Sequence, residues 1–279
     1  MNATPFVKMH GLGNDFVVLD DRDGSLAIDR VRAAAIADRR RGVGCDQVLI
    51  LKPANDPGAD VFMEIRNVDG TEAEACGNGT RCVASLIMDE KGTDALDVET
   101  VVGIRPVTRD ANGHVSVDMG PPGIDWAEIP LAHEADTLHI DFENAPLSDG
   151  VGVNMGNPHV VFFIDDAETV ELENIGPPME HHSLLPVRAN IEVVSQLGSN
   201  KLRVRVWERS SGITQACGSG ACAVGVAANR RGLTGRKVEV VLDGGSLFTE
   251  WRENDGHVLM AGPAATSFRG QLDPSLLAR

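Results

Sequence analysis

The sequence predicts a mixed α/β fold (α+β) of two pseudo-symmetric halves, each a curved, mostly antiparallel sheet wrapped around a central helix. Three observations support this prediction: motifs that recur in the same order, short apolar runs typical of strands, and two helices that each begin beside a cysteine. The chain has 279 residues, of which 42% are hydrophobic, so it can bury a substantial core.

The internal repeat is anchored on two glycine-flanked cysteines. Residues 75–79 read Ala-Cys-Gly-Asn-Gly, and residues 216–220 read Ala-Cys-Gly-Ser-Gly. Aligning these motifs places Asn14 on Asn157, Gln47 on Asn190, and Asn67 on Glu208. Such an order favours gene duplication over chance similarity of turns. We expect an N-terminal half at 1–121 carrying Cys76, completed by 264–279, and a C-terminal half at 122–263 carrying Cys217.

Apolar patterning locates the main elements. Strands are predicted at 46–51, 202–206, 237–242 and 246–251, the last two joined by a hairpin turn, and residues 265–272 form a further candidate strand. Helices are predicted at 29–41, 79–90 and 220–231, each followed closely by a glycine. The third helix is rich in alanine and valine on most sides, as a helix enclosed by a sheet requires.

Composition argues against several classes of partner. A formal charge of -16 disfavours nucleic acids and anionic membranes, which normally bind basic surfaces. No apolar run approaches the length of a membrane span, and no secretory signal is evident, so we expect a cytoplasmic protein with reduced thiols. The cysteine spacings do not form a zinc clamp, and the glycines at 11 and 13 do not complete a dinucleotide fingerprint. We therefore expect no metal and no cofactor.

The position of Cys76 and Cys217 points to acid/base chemistry. A cysteine just before a helix lies in the field of the helix dipole, which favours the thiolate and lowers its pKa. Free amides at the helix start can bind a carboxylate. An amino acid held in this way could lose its α-proton to one sulfur and regain a proton from the other on the opposite face. The two residues are thus candidates for the paired base and acid of a racemase or epimerase.

Other titratable and polar residues have more than one interpretation. Cys45, Cys82 and Cys222 are expected to be structural, because buried packing is the usual fate of cysteine. His159 and Glu208 could adjust the pKa of a neighbouring thiol or simply cap turns. A lone asparagine usually makes a turn, but the repeated asparagines and Gln47 favour a polar cleft.

Several motifs together resemble the diaminopimelate epimerase family over nearly the whole chain. They are residues 9–15 (MHGLGND), 44–47 (GCDQ), 75–79 (ACGNG), 156–159 (GNPH), 208–209 (ER) and 216–220 (ACGSG). The resemblance implies interconversion of LL- and meso-diaminopimelate without pyridoxal phosphate or metal, in lysine and peptidoglycan precursor biosynthesis. It also implies a homodimer.

The resemblance also assigns roles to residues. It makes Cys76 and Cys217 the acid/base pair. It also implies that His159 and Glu208 adjust the pKa values of these two thiols. The implied substrate-binding residues are Asn14, Gln47, Asn67, Gly77, Asn78, Asn157, Asn190, Glu208, Arg209, Gly218 and Ser219. The guanidinium of Arg209 suits the second carboxylate of the substrate.

The chain departs from the family pattern at a few positions. Ser210 stands where glycine is expected, Ile213 where an acidic residue is expected, and Trp207 where tyrosine is common. Two alternatives stay open: a proline racemase or hydroxyproline epimerase of the same fold, and a non-catalytic thiol redox or metal-binding protein. A proline racemase or hydroxyproline epimerase would not need residues that bind a distant ammonium and carboxylate. The presence of such residues therefore favours diaminopimelate, and they are Asn67, Asn190, Glu208 and Arg209.

Overall fold

The computed structural model describes residues 4–74 and 76–278, and the chain divides into two compact units. One unit comprises Met1–Val117 and Gly262–Arg279, and the other comprises Asp118–Ala261. Ala75 of the first cysteine motif lies outside the described residues, as do residues 1–3 and 279 of the predicted N-terminal half. The origin of the halves by duplication stays a prediction.

The first unit is built mainly from strands around one long helix. Its elements are β1 (Thr4–Gly11), β2 (Asn14–Asp20), α1 (Arg30–Ala37), β3 (Gln47–Lys52), β4 (Val61–Asn67), β5 (Glu72–Ala73), α2 (Gly77–Lys91), β6 (Ala95–Thr100), β7 (Gly103–Arg109) and β8 (Val115–Asp118). Strands β2 and β3 pair in parallel, as do β4 and β6, and the other pairs among β1–β8 of this unit are antiparallel.

The second unit follows the same order of pairing. Its elements are β9 (Val151–Asn154), β10 (Pro158–Phe163), a 3-10 turn (Ala167–Thr169), α3 (Leu172–Glu180), β11 (Asn190–Gly198), β12 (Lys201–Glu208), β13 (Gly212–Ile213), α4 (Gly218–Arg230), β14 (Lys237–Leu242), β15 (Gly245–Trp251) and β16 (Val258–Gly262). Here β10 pairs in parallel with β11 and β12 with β14, and the remaining pairs within the unit are antiparallel. The predicted mixed α/β class is confirmed.

The end of the chain belongs to the first unit. Strand β17 (Ala265–Leu272) pairs antiparallel with β1 and is followed by the short helix α5 (Pro274–Leu277). Leu272 is buried in a core cluster with Phe6, Val17 and Ile50. A separate core cluster in the second unit includes Phe162 of β10, together with Phe142 and Ile191.

Helices α2 and α4 occupy the centre of their units. Ten residues of α4, all small or branched apolar, are buried along its length. The helix packs closely on β15, because a Cβ at Gly225 would lie 2.4 Å from Thr249 Oγ1. Both helices begin two residues before their predicted starts at 79 and 220, since the preceding cysteine caps each one. Across the described residues, no helix is long and apolar enough to cross a membrane.

The structure differs from the predicted helices in two places. Helix α1 ends at Ala37 rather than Arg41, because the Asp38 carboxylate accepts hydrogen bonds from the Arg40 and Arg41 amides. Such local bonds compete with helix formation. Helix α3 was not predicted, and it contains two consecutive prolines, Pro177 and Pro178. Proline normally disfavours a helix interior. The packing of α3 on β11, β12 and β13 must therefore hold it in place.

Gly176 of α3 provides a test of that packing. A Cβ at this position would lie 2.3 Å from Trp207 Cδ2, so Gly176→Ala must displace the helix or the indole. We expect the free energy of unfolding, measured by urea denaturation, to fall by about 1–3 kcal/mol. The control is Gly198→Ala, whose Cβ would meet only Lys201 Cβ at 3.9 Å. Equal stability of both variants and the native chain would contradict this packing.

Candidate active site

Cys76 caps helix α2 with its own side chain. Its backbone is extended, with φ −151° and ψ 101°, and the Gly79 amide donates a hydrogen bond to Sγ at 3.3 Å. The thiol also lies 3.9 Å from Asn14 Oδ1, which accepts a second hydrogen bond from Asn78 Nδ2 at 3.1 Å. Three predicted site residues, Cys76, Asn14 and Asn78, therefore meet at the start of this helix.

A charged cluster fixes the orientation of Asn14. Its Nδ2 donates to Asp46 Oδ2 at 2.9 Å, and because a carboxylate can only accept, Oδ1 must face Cys76. Arg39 forms ion pairs with both Asp46 and Asp15. Burial favours a raised pKa for Asp15, but hydrogen bonds from Arg39 and Lys8 outweigh it and hold the pKa well below its usual range. The start of β2, which carries Asn14, is thus anchored by Asp46 and by an Asp15 carboxylate that stays ionised.

Gln47 and Asn67 form a second polar group in the first unit. Gln47 Nε2 donates to Asn67 Oδ1 at 3.0 Å, directly across the antiparallel pair of β3 and β4. Asn67 Nδ2 donates in turn to Thr71 Oγ1 at 3.2 Å. The register of the two strands therefore joins these two predicted residues to each other.

Cys217 caps helix α4 in the same way. The Gly220 amide donates to Sγ at 3.4 Å, and Ser219 Oγ lies 3.6 Å from the sulfur. Gly218 and Ser219 are the first two helical residues, as Gly77 and Asn78 are in α2. Amides in a first turn have no partner within the helix, so these positions can supply donors to an anion.

The surroundings of Cys217 oppose its ionisation. Burial, the Glu208 carboxylate and the Glu192 carboxylate raise the pKa of the thiol well above its ordinary value, although Ser219 and the Gly220 amide act in the opposite direction. The expectation that a helix start lowers this pKa is therefore wrong for Cys217. Only 5% of the residue is exposed, so the low dielectric outweighs the helix dipole.

Glu208 and His159 both lie in this environment. Burial raises the pKa of Glu208, whose Oε1 accepts a hydrogen bond from the Thr214 hydroxyl. His159 is fully buried, with Nδ1 2.7 Å from Glu192 Oε1 and Nε2 3.0 Å from Asn157 Oδ1. The structure thus places His159 between Asn157 and a carboxylate, Glu192, that was not among the predicted site residues.

Glu192 was missed because its strand reads as a buried apolar run. The one available signal was a charged residue between Ile191 and Val193, where the packing on both sides is apolar. A buried carboxylate requires a partner, but the sequence does not show that His159, from another strand, supplies it.

Asn190 anchors the loop that carries Arg209. Its Nδ2 donates to the Pro158 carbonyl at 3.0 Å, and its Oδ1 accepts from the Arg209 amide at 2.8 Å. Arg209 is exposed, and its Nη1 donates to the Val187 carbonyl at 3.3 Å. The guanidinium has five N–H donors, so others remain that can bind a carboxylate.

The other cysteines are packed in the cores. Cys45, Cys82 and Cys222 are all 0% exposed, as expected for structural residues. Burial raises the pKa of Cys45 to about 11 and that of Cys82 to about 12, so neither is a ready base. No group of three or more histidine, cysteine or acidic side chains within residues 4–74 and 76–278 could hold a metal ion.

The fold is shared with solved racemases and epimerases. A hydroxyproline epimerase from Agrobacterium vitis superposes with a TM-score of 0.67 at 14% identity, covering 97% of this chain and 91% of that chain. A probable proline racemase from Agrobacterium radiobacter gives a TM-score of 0.67 at 13% identity, covering 98% and 95%. At these identities the likeness shows the fold alone.

Sequence comparison is more specific. The diaminopimelate epimerase family model matches residues 6–124 and 151–267, and the chain belongs to that family. A diaminopimelate epimerase from Rhodospirillum centenum is 57% identical over 98% of this chain and 93% of its own length. One from Acidiphilium cryptum is 50% identical over 99% of both chains. The predicted resemblance is confirmed.

The departures after Glu208 have structural consequences. Ser210 has φ +64°, the left-handed conformation that explains why glycine suits this position. Its amide donates to Glu180 Oε1 at 3.1 Å, and Trp207 Nε1 donates to Glu180 Oε2 at 2.7 Å. The buried Glu180 thus holds the loop on both sides of Arg209, and the indole provides one of the two contacts.

Substituting Ser210 tests the strain. We expect Ser210→Gly to raise the free energy of unfolding by about 1 kcal/mol, because a side chain in the left-handed region is disfavoured. Ser210→Val should lower it, since a β-branched residue fits this conformation poorly. Urea denaturation of the three proteins gives the comparison. A destabilised Ser210→Gly variant would show that Ser210 is not strained.

Proposed function

We propose that this chain interconverts LL- and meso-diaminopimelate, with Cys76 and Cys217 as the paired base and acid. The observation that carries the assignment of these residues is that each caps a buried central helix and accepts an amide hydrogen bond at Sγ. This is the geometry in which a sulfur can exchange a proton beside donors for a carboxylate.

The proposed reaction needs no external group. A thiolate removes the α-proton, forming an S–H bond while the C–H electron pair moves into the carboxylate. Helix-start amides at Gly77, Asn78, Gly218 and Ser219 stabilise that charge. The other thiol then gives its proton to the opposite face of the α-carbon, and the two cysteines exchange roles in the reverse direction. No metal or cofactor takes part in this scheme.

The two thiols need not be equivalent at rest. The raised pKa of Cys217 supports its assignment as the protonated thiol in the substrate-free enzyme. Cys76 would then be the thiolate that removes the α-proton in that state of the enzyme. Because the proton taken by one thiol is not the proton given by the other, each turnover must reset both groups with solvent or with the reverse reaction.

The distal end of the substrate accounts for several polar residues. Arg209 is exposed and keeps donors for the second carboxylate, and Asn190 fixes its backbone. Asn67, Gln47 and Asn157 offer amides, and Glu208 a carboxyl group, to the second ammonium and carboxylate. We propose that they bind the substrate together.

The comparisons with known proteins favour diaminopimelate over proline as the substrate. Full-length relatives at 57% and 50% identity are diaminopimelate epimerases, whereas the solved proline racemase and hydroxyproline epimerase share only 13% and 14% identity. The residues proposed for the distal ammonium and carboxylate would have no partner on a proline ring.

Location and assembly are also proposals. Two reduced thiols are required, and thiols persist in a reducing compartment, which supports a cytoplasmic enzyme that serves lysine and peptidoglycan precursor synthesis. The family resemblance supports a homodimer. Sedimentation equilibrium of the purified protein would give its mass directly.

Activity of the native and substituted proteins tests the proposal. Reduced protein incubated with LL-diaminopimelate should form the meso isomer, detected by chiral chromatography, and should leave L-proline and hydroxyproline unchanged. We expect Cys76→Ala and Cys217→Ala each to lower kcat by at least about 100-fold, because each removes an acid/base group.

The matched control is Cys82→Ala. This cysteine lies inside α2 rather than at its start, so its loss should leave kcat within about 3-fold of the native value. Circular dichroism should show all three variants folded. A folded Cys76→Ala or Cys217→Ala enzyme that keeps most of its activity would exclude the two-cysteine mechanism, and exchange of proline alone would exclude the substrate.

A further inference from the structure

Glu192 is a buried acidic residue for which the reaction scheme above has no role. It lies in β11, and its side chain has no exposed surface. One carboxylate oxygen, Oε1, is 2.7 Å from His159 Nδ1, and that ring is also completely buried. Burying a carboxylate costs free energy unless it is paired. The contact with His159 offsets part of that cost for Glu192.

The same oxygen lies beside the start of α4. A Cβ at Gly220 would be 2.9 Å from Glu192 Oε1 and 3.2 Å from Cys217 Sγ. Both atoms therefore crowd one point on the helix, and only glycine fits there. The carboxylate is close enough for its charge to act on the thiol through a buried, weakly screened environment.

His159 extends the contact to Asn157. A carboxylate only accepts hydrogen bonds, so Nδ1 of His159 must carry a proton while Glu192 is ionised. The opposite ring nitrogen, Nε2, is 3.0 Å from Asn157 Oδ1. An amide oxygen only accepts, so this contact is a hydrogen bond when Nε2 also carries a proton, and it then leaves the amide nitrogen of Asn157 for a ligand. Glu192, His159 and Asn157 thus form a chain from β11 to the loop before β10.

We propose that Glu192 is a positioning residue for the epimerisation, which holds the His159 ring through Nδ1 and sets the charge beside Cys217. The proposal rests on the role assigned above to Cys217. Glu192 makes no contact with substrate in this account. It acts through His159 on the orientation of Asn157, and through its charge on the protonation of the thiol.

Other charged groups lie on the strands beside the thiol. Glu208, at the end of β12, faces Cys217 and acts in the same direction as Glu192. His159 faces Glu208 from β10 and favours its ionised form. On β14, which packs on α4, Lys237 is paired with Glu250 and Glu239 with Lys201. Of the two carboxylates that act on the thiol, Glu192 is therefore the one that can be replaced without replacing a residue proposed to bind the substrate.

Three variants separate charge from hydrogen bonding. Glu192→Gln keeps an oxygen that can accept from His159 Nδ1 but removes the charge. Glu192→Asp keeps the charge but shortens the reach to the ring. Glu64→Gln is the matched control, because Glu64 is a largely buried carboxylate paired with Lys52 and Arg66 in the other unit. Each is made in a Cys76→Ala background, so that Cys217 can be followed by mass spectrometry.

The measurement is the rate of Cys217 alkylation by iodoacetamide from about pH 7 to about pH 11, which reports the thiolate. We expect Glu192→Gln to shift the profile to lower pH by about one unit, or about 10-fold faster alkylation at a fixed pH below the midpoint. The Glu192→Asp and Glu64→Gln profiles should stay near that of the parent. In an otherwise native chain, Glu192→Gln should also move the pH profile of kcat.

A folded Glu192→Gln protein with the parent alkylation profile would overturn the proposal. If that variant does not fold, the ¹⁵N NMR signals of His159 in the native chain decide instead. A proton on Nδ1 near neutral pH supports the pairing, and an Nδ1 without a proton overturns it. Alkylation and NMR need no turnover, so a native chain inactive on diaminopimelate would contradict the proposed function without bearing on Glu192.

Discussion

The hydrogen bond from a helix-start amide to a cysteine sulfur is the interaction on which the candidate chemistry of each unit depends. It requires the helix to begin at the cysteine. A glycine follows three residues on in both units, where a Cβ at position 220 would lie 3.2 Å from the sulfur and one at position 79 would lie 3.2 Å from Leu49. The hydrogen bond also requires the helix to be buried, so that its first amides face a site of low dielectric. The strands around α2 and α4 meet that requirement in both units.

Equivalent positions in the two units carry different electrostatics. In the first unit, Asp46 turns the amide oxygen of Asn14 toward Cys76. In the second, the matching Asn157 offers its oxygen to His159, and two carboxylates oppose ionisation of Cys217. A repeated backbone therefore supports two thiols with unlike surroundings, which suits a reaction that begins with one base and one acid.

Much of this arrangement could be predicted from particular residues. The glycines beside Cys76 and Cys217, and the apolar patterns after them, identified both helices to within two residues of their starts, and the repeat matched Asn14 with Asn157. The surroundings of Cys217 could not be predicted in the same way, because Glu192 reaches it from a strand that reads as apolar core. The dipole argument was wrong for its pKa, since burial and neighbouring charges are properties of the folded chain. Helix α3 was missed because packing overrides the local preference of Pro177 and Pro178.

The central claim is that one cysteine takes the α-proton and the other returns a different proton. It is tested most directly with LL-diaminopimelate in deuterated water, following the isotope content of each stereoisomer during the first turnovers. We expect the meso product to carry one solvent deuteron at the inverted carbon while unreacted LL substrate stays unlabelled. Product that retains the original proton, or substrate labelled as fast as product forms, would contradict it.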